Sequence, residues 1–390
     1  MNATRLRRSR TAPLVFAVVA VVVLSAVLVL GGPWAWAAPS SPGAPGSPGS
    51  VGGPAETGLP APRWSTPVSG WPFAVAADKV GVVAIGGNDE VLALSSDDGS
   101  TAWYTTVTGT DLHRPALGAG AVAVSATDYV TVLDRKSGER RWDATIPGGA
   151  GPVRIVQQAS LVLVGTGSGS LLALDLASGA PRWESGAPGS LFGPPALGAE
   201  GSIVVATWHG GPAPAVRALD TATGVTRWEA PIGRSSAAPV VAGDLAFVAE
   251  GDGYHNARVV ARALSTGVEV WSAVMPGSFD AAIEPAASDD AVAVVDHFGT
   301  ATLLDARTGA LRWRTEIGEP VLHTRVLLTR RAVVLSTFPG TVVALDRRSG
   351  RARFAGVPDG FPADLARSGT TVVMALRITD PGRIEAVPLR

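Results

Sequence analysis

Five histidines are the chain's most versatile side chains: His113, His209, His255, His297 and His323. Neutral imidazoles can ligate a metal or carry protons, but only when they converge. Asp280, Glu284 and Asp296 are hard oxygen donors of the kind a divalent cation takes. Gly165-Thr166-Gly167-Ser168-Gly169 has the composition of a phosphate-cradling loop. That chemistry needs a strand before the loop and a helix after it, whereas apolar strand-like runs flank this one, so it reads as a turn. Cysteine is absent. Disulfides, thiolate metal sites, cysteine nucleophiles and cysteine-linked lipid anchors are thereby excluded.

The elements that must position these groups repeat. Leu133-Asp134-Arg135-Lys136-Ser137-Gly138-Glu139-Arg140-Arg141-Trp142 returns as Leu304-Asp305-Ala306-Arg307-Thr308-Gly309-Ala310-Leu311-Arg312-Trp313. Further copies end at Trp103, Trp183, Trp228, Trp271 and Phe354, always with a Gly four residues earlier (Gly99, Gly179, Gly224, Gly267, Gly350). Trp64 is an eighth anchor, and the spacings from it are 39, 39, 41, 45, 43, 42 and 41 residues. A period near 41 is that of a four-stranded propeller blade. Apolar residues before the Asp mark a strand. The Asp accepts backbone N–H groups two residues on and starts a turn. The Gly supplies a positive φ. The aromatic opens the outer strand and buries a ring worth roughly 4–6 kcal/mol gross. The eight anchors are therefore expected to pack blades together, not to cage a ligand.

With strands lettered A to D outward from the axis, eight A–B–C triples begin near Phe73, Pro115, Pro152, Pro195, Pro239, Glu284, Arg325 and Pro362. The last triple has no outer strand after it, and the strand at Trp64 has no triple before it. The expectation is an all-β, eight-bladed propeller of four-stranded antiparallel blades over residues 63–390, closed by its N-terminal strand. Closure hides two sheet edges that would invite aggregation.

Composition agrees. Gly and Pro number 47 and 30 of 390 residues, punctuation that suits short strands and turns. Lys+Arg is 32 against 33 Asp+Glu, so bulk charge selects neither nucleic acid nor acidic lipid. Arg5, Arg7, Arg8 and Arg10 precede an apolar run, Leu14 to Leu30, and no acid occurs before Glu56. Residues 1–37 are read as a signal peptide, with Ala35-x-Ala37 as cleavage site, or as an uncleaved anchor. Either places the remainder outside the cytoplasm, secreted or held at the cell membrane. Residues 38–62 hold seven Pro and six Gly and are read as a linker that cannot offset its ordering entropy.

The unit Ala173-Leu174-Asp175-Leu176-Ala177-Ser178-Gly179-Ala180-Pro181-Arg182-Trp183 resembles the pyrroloquinoline-quinone (PQQ)-type propeller repeat, and the resemblance runs over roughly residues 63–389. It implies the fold. For function it implies either a quinoprotein dehydrogenase with quinone and calcium at the axis, or a non-enzymatic protein-binding propeller such as the lipoprotein of the outer-membrane β-barrel assembly machinery. Many dehydrogenases set a cysteine pair against the quinone, which this chain lacks, and no Asn/Glu/Asp calcium cluster stands out on the A strands. The lipid-anchor cysteine of the assembly lipoprotein is also missing.

In a propeller the D–A and B–C connections share one face. All five histidines fall there, with Trp71, Phe192, Trp208, Tyr254, Phe279, Phe298, Phe338 and Phe361. The longest insertions, Trp208–Ala215 and Gly251–Arg258, lie there too, whereas the A–B turns look short and plain. This is the expected partner face. The histidines belong to five different blades, which opposes a shared metal. The reading is an exported, possibly membrane-tethered scaffold that binds protein, without catalysis or cofactor. No nucleic-acid contact is expected, membrane contact only through residues 14–30, and a monomer. A quinone/Ca-dependent oxidoreductase and a glycan-binding or sensory ectodomain are the alternatives.

Overall fold

A computed structural model describes residues 56–390, apart from 108, 110, 187–189, 192, 199–200, 210–212, 234, 252–256, 276–284, 322–324, 378–380 and 390. The segments read as signal or anchor and most of the linker lie outside the described residues.

Alternating apolar runs separated by turns make short strands, and these pair into eight antiparallel sheets among the described residues. Blade 1 runs Ala74–Ala77, Val82–Ile85, Glu90–Leu94 and Thr101–Thr106 from axis to rim. Blades 2 to 7 repeat that order along the chain. Blade 8 takes its three inner strands from Phe361–Ser368, Thr371–Arg377 and Gly382–Pro388. Its rim strand is Trp64–Val68, with Trp64 opposite Ala386 and Val68 opposite Gly382. The expected eightfold ring and its closure by the N-terminal strand are thus found. Residues of the expected linker also join the ring. Glu56–Thr57 adds a fifth, parallel strand to the rim of blade 7, opposite Phe354 and Ala355.

The cores lie between blades, and the repeat explains how neighbours are joined. Each anchor tryptophan donates its indole N–H to a backbone carbonyl in the next blade's C–D turn. Trp64 reaches Ser96 O at 3.1 Å, Trp103 reaches Arg135 O at 2.9 Å and Trp142 reaches Leu176 O at 3.0 Å. Trp183, Trp228, Trp271 and Trp313 reach Thr221, Leu264, Ala306 and Arg347 in the same way, at 2.7–2.9 Å. The repeat glycine has two reasons to be glycine. At Gly179, φ is +74°, and an added Cβ would stand 2.8 Å from the Trp142 ring of the preceding blade. Only a residue without a side chain meets both demands.

The turn aspartates act as expected. Asp175 Oδ1 accepts the backbone N–H groups of Ala177 and Ser178 at 3.1 and 2.9 Å, and its Oδ2 accepts Arg182 Nη2 at 2.6 Å. The joint between blades 7 and 8 differs. Blade 8 has no C–D turn, because its C and D strands come from opposite ends of the chain. No turn carbonyl waits there for an indole, and the anchor of blade 7 is Phe354, buried and without an N–H. Gly58 and Leu59 cover this joint, where a Cβ on Gly356 would stand 2.6 Å from the backbone N of Leu59.

Candidate functional site

The face built from D–A and B–C connections carries exposed aromatics on consecutive blades. Phe298 lies in the turn between Ala291–Val295 and Thr300–Asp305 of blade 6. Phe338 occupies the corresponding turn of blade 7, between Ala332–Ser336 and Val342–Asp346. Phe361 opens the A strand of blade 8, and Trp71 lies between blades 8 and 1. Trp71, Phe298 and Phe338 are 62, 59 and 55% exposed, and Phe361 is 39% exposed. Large apolar rings held in water at adjoining positions on a rigid ring are unusual unless something covers them.

Trp208 departs from the expectation. The insertion read as a loop is in part strand: Ile203–His209 pairs with Ala215–Asp220, and Trp208 stands opposite Ala215. Its ring is 1% exposed, packs between blades 3 and 4 with Leu163, Leu171 and Leu191, and takes Arg217 over its face at 5.2 Å. Its indole N–H donates to Gly169 O at 2.8 Å. Trp208 is therefore a core residue. The acceptor belongs to the Gly165–Gly169 segment, which joins Leu161–Thr166 to Ser170–Asp175 and is a B–C turn, as expected. Tyr254, His255, Phe279, His323, Phe192, Asp280 and Glu284 lie outside the described residues, and for His209 only the backbone, opposite Ser190, is described.

The remaining histidines are separated in role. His297 Nδ1 lies 3.2 Å from Val321 O. His113 stands at the axis, where burial pushes its imidazole pKa down, opposed by the Ala150 backbone and the Asp111 charge. Asp296 is buried and accepts the Thr300 N–H at 2.8 Å, closing its own turn. Among the described residues, no three His, Asp or Glu side chains converge as a metal site.

The axis itself is arginine-rich, which single-residue inspection of the sequence did not reveal. One lobe, about 600 Å³, is bounded mainly by the A strands of blades 8, 1, 2 and 3. The other, about 390 Å³, is bounded by those of blades 4 to 7, and Arg154, Arg325 and Arg367 line both. Asp364 is buried at the wall and ties three blades together. Its Oδ2 accepts Val75 N at 2.9 Å from blade 1 and Arg114 Nε at 2.8 Å from blade 2.

Closed blades, indoles docked around the ring and the recurring turn define a propeller of the quinoprotein-like repeat class. The chain belongs to the PQQ_2 family, described as outer membrane protein assembly factor BamB, whose model matches residues 35–144, 126–281 and 255–384. Among solved structures it is similar to BamB from Moraxella catarrhalis, at 19% identity and a TM-score of 0.66, covering 83% of this chain and 97% of that one. It is also similar to the computationally designed Ika8 protein, at 15% identity and a TM-score of 0.69, covering 84% of this chain and 99% of Ika8. The C-terminal WD40 domain of Sif2 matches at 10% identity and a TM-score of 0.68, over 86% of this chain and 99% of that domain. No curated protein matches in sequence. At these identities the solved structures show the shared fold.

Proposed function

We propose that the chain is an exported scaffold that binds another protein through the aromatic arc of blades 6, 7, 8 and 1, and that it performs no chemistry of its own. The observation that carries this reading is the exposure of Trp71, Phe298, Phe338 and Phe361 on one face. Membership in a family named for an assembly factor, and the basic-then-apolar N-terminus, support the export and binding parts of it. Aromatic side chains are favoured interface anchors because they bury much area at low entropic cost.

The test is site-specific crosslinking in the producing cell. A photoreactive residue in place of Phe338 should yield a discrete protein adduct. The same residue in place of Tyr104, exposed on the rim strand of blade 1, should yield none. Equal labelling at the two positions, or none at either, would defeat the reading.

A further inference from the structure

The opposite face, built from A–B and C–D turns, holds a second feature. In blade 7 these two turns each carry an arginine pair, Arg330-Arg331 and Arg347-Arg348. The backbone stitches them together, since Arg347 N donates to Arg331 O at 2.8 Å and Arg347 Nη1 donates to Thr329 O at 2.7 Å. The result is a concavity of about 510 Å³ lined by six arginines and two aspartates.

Both aspartates are already engaged. Asp290 pairs with Arg347 and, at 3.1 Å, with Arg312, while Asp346 pairs with Arg353 at 3.3 Å. Arg330, Arg331 and Arg348 are exposed and have no acidic partner among the described residues. This local excess of positive charge sits on an acidic chain. Four of the 32 basic residues lie in the first 37 positions, leaving 28 against 33 acids. Such a patch is not a by-product of overall composition.

The polypeptide supplies the second argument. Glu56–Thr57 runs parallel to the rim strand of the same blade, Ala352–Gly356. That strand leads away from the C–D turn, so Glu56, the first described residue, lies toward the arginine-bearing end of the blade. Between Leu30, the end of the apolar run, and Glu56 lie 25 residues. Fully extended they span at most about 90 Å. An apolar segment resident in a bilayer would hold the propeller within that distance of the bilayer's surface, at high effective concentration.

We propose that the blade 7 arginine concavity is a docking site for the phosphate headgroups of anionic phospholipid, turning this face to the membrane. The proposal rests on the reading of the chain as exported and tethered. A basic residue near an anionic bilayer is worth about fivefold in partitioning, so three supply on the order of 100-fold.

The absence of cysteine makes the test clean. The full chain, with Ala310→Cys in the neighbouring C–D turn of blade 6 carrying a fluorophore, is reconstituted in phosphatidylcholine bilayers with and without phosphatidylglycerol. Spin-labelled lipid should quench the fluorophore only in the anionic bilayer. Quenching should vanish in 0.5 M salt, where the Debye length is only about 4 Å, and in the R330E/R331E/R348E variant, and persist when those arginines become lysine. A label at Phe338→Cys on the opposite face should stay unquenched. Equal quenching in the two bilayers, or quenching that survives the charge reversal, overturns the proposal. So does protection of the label by an acidic peptide but not by anionic lipid, which assigns the patch to a protein. Association of the whole chain with neutral bilayers reports the tether separately. Should it fail, arginine-dependent co-sedimentation with anionic vesicles alone still upholds the docking site, and its absence rejects it.

Discussion

Trp208 and Trp71 show how differently one residue type is used. Trp208 fills the joint between blades 3 and 4 and gives its N–H to Gly169 O. Its loss removes contacts on every side and leaves a carbonyl that was satisfied. Trp208→Ala should therefore cost roughly 3–5 kcal/mol, as buried large-to-small changes do. Trp71 projects into water, and Trp71→Ala should lie within about 0.5 kcal/mol of the parent. Denaturant titration of the two variants reads the difference directly, and equal losses would contradict the burial assigned here. The sequence offers no local sign of which is which, because each has glycine and a hydroxyl residue within two positions and an apolar run close by. Burial of Trp208 depends on the B strand running on to His209, and that is decided by pairing with Ala215–Asp220.

The recurring turn is the element whose behaviour is most sensitive to acid. The Arg182 guanidinium, then Ser178, hold the Asp175 carboxyl at about 2. Arg312, then Thr308, do the same for Asp305, also at about 2. An unfolded aspartate titrates near 4, about two units higher. Since the folded values lie below the unfolded one, the support these turns lend is complete above about pH 4 and is lost as pH falls toward 2. Melting temperature should drop over that interval in the parent. In the Asp175→Asn/Asp305→Asn double variant it should start lower and fall less steeply. An unchanged slope would show that these carboxylates do not govern acid stability. This element was also the most legible in the sequence. Its Asp, Gly and aromatic positions each answer one demand, so seven copies announced the blades. The second demand on the glycine, clearance for the neighbouring indole, was not legible, because it involves the blade before. The arginine concavity was hidden for a related reason. Arg330-Arg331 and Arg347-Arg348 belong to two turns that meet only after folding, and A–B turns read as short and plain gave no hint of it.

The ring as a whole has two faces of different chemistry, arginines on one and exposed aromatics on the other. Its integrity rests on one pairing, Trp64–Val68 against Gly382–Pro388. Removing residues 1–68 would strip that outer strand and leave the last strand with an open edge. The truncated protein should show a lower unfolding midpoint and concentration-dependent association by size exclusion. Removing only residues 1–55 should leave the midpoint near the parent value. Similar behaviour of the two truncations would mean that closure contributes little.

That same pairing also sets a timetable. Trp64 meets Ala386, so one partner leaves the ribosome about 320 residues ahead of the other, roughly 15–65 s at ordinary elongation rates. During that interval the nascent protein carries an unmatched strand at its leading end, and a product that stops before Gly382 never shuts.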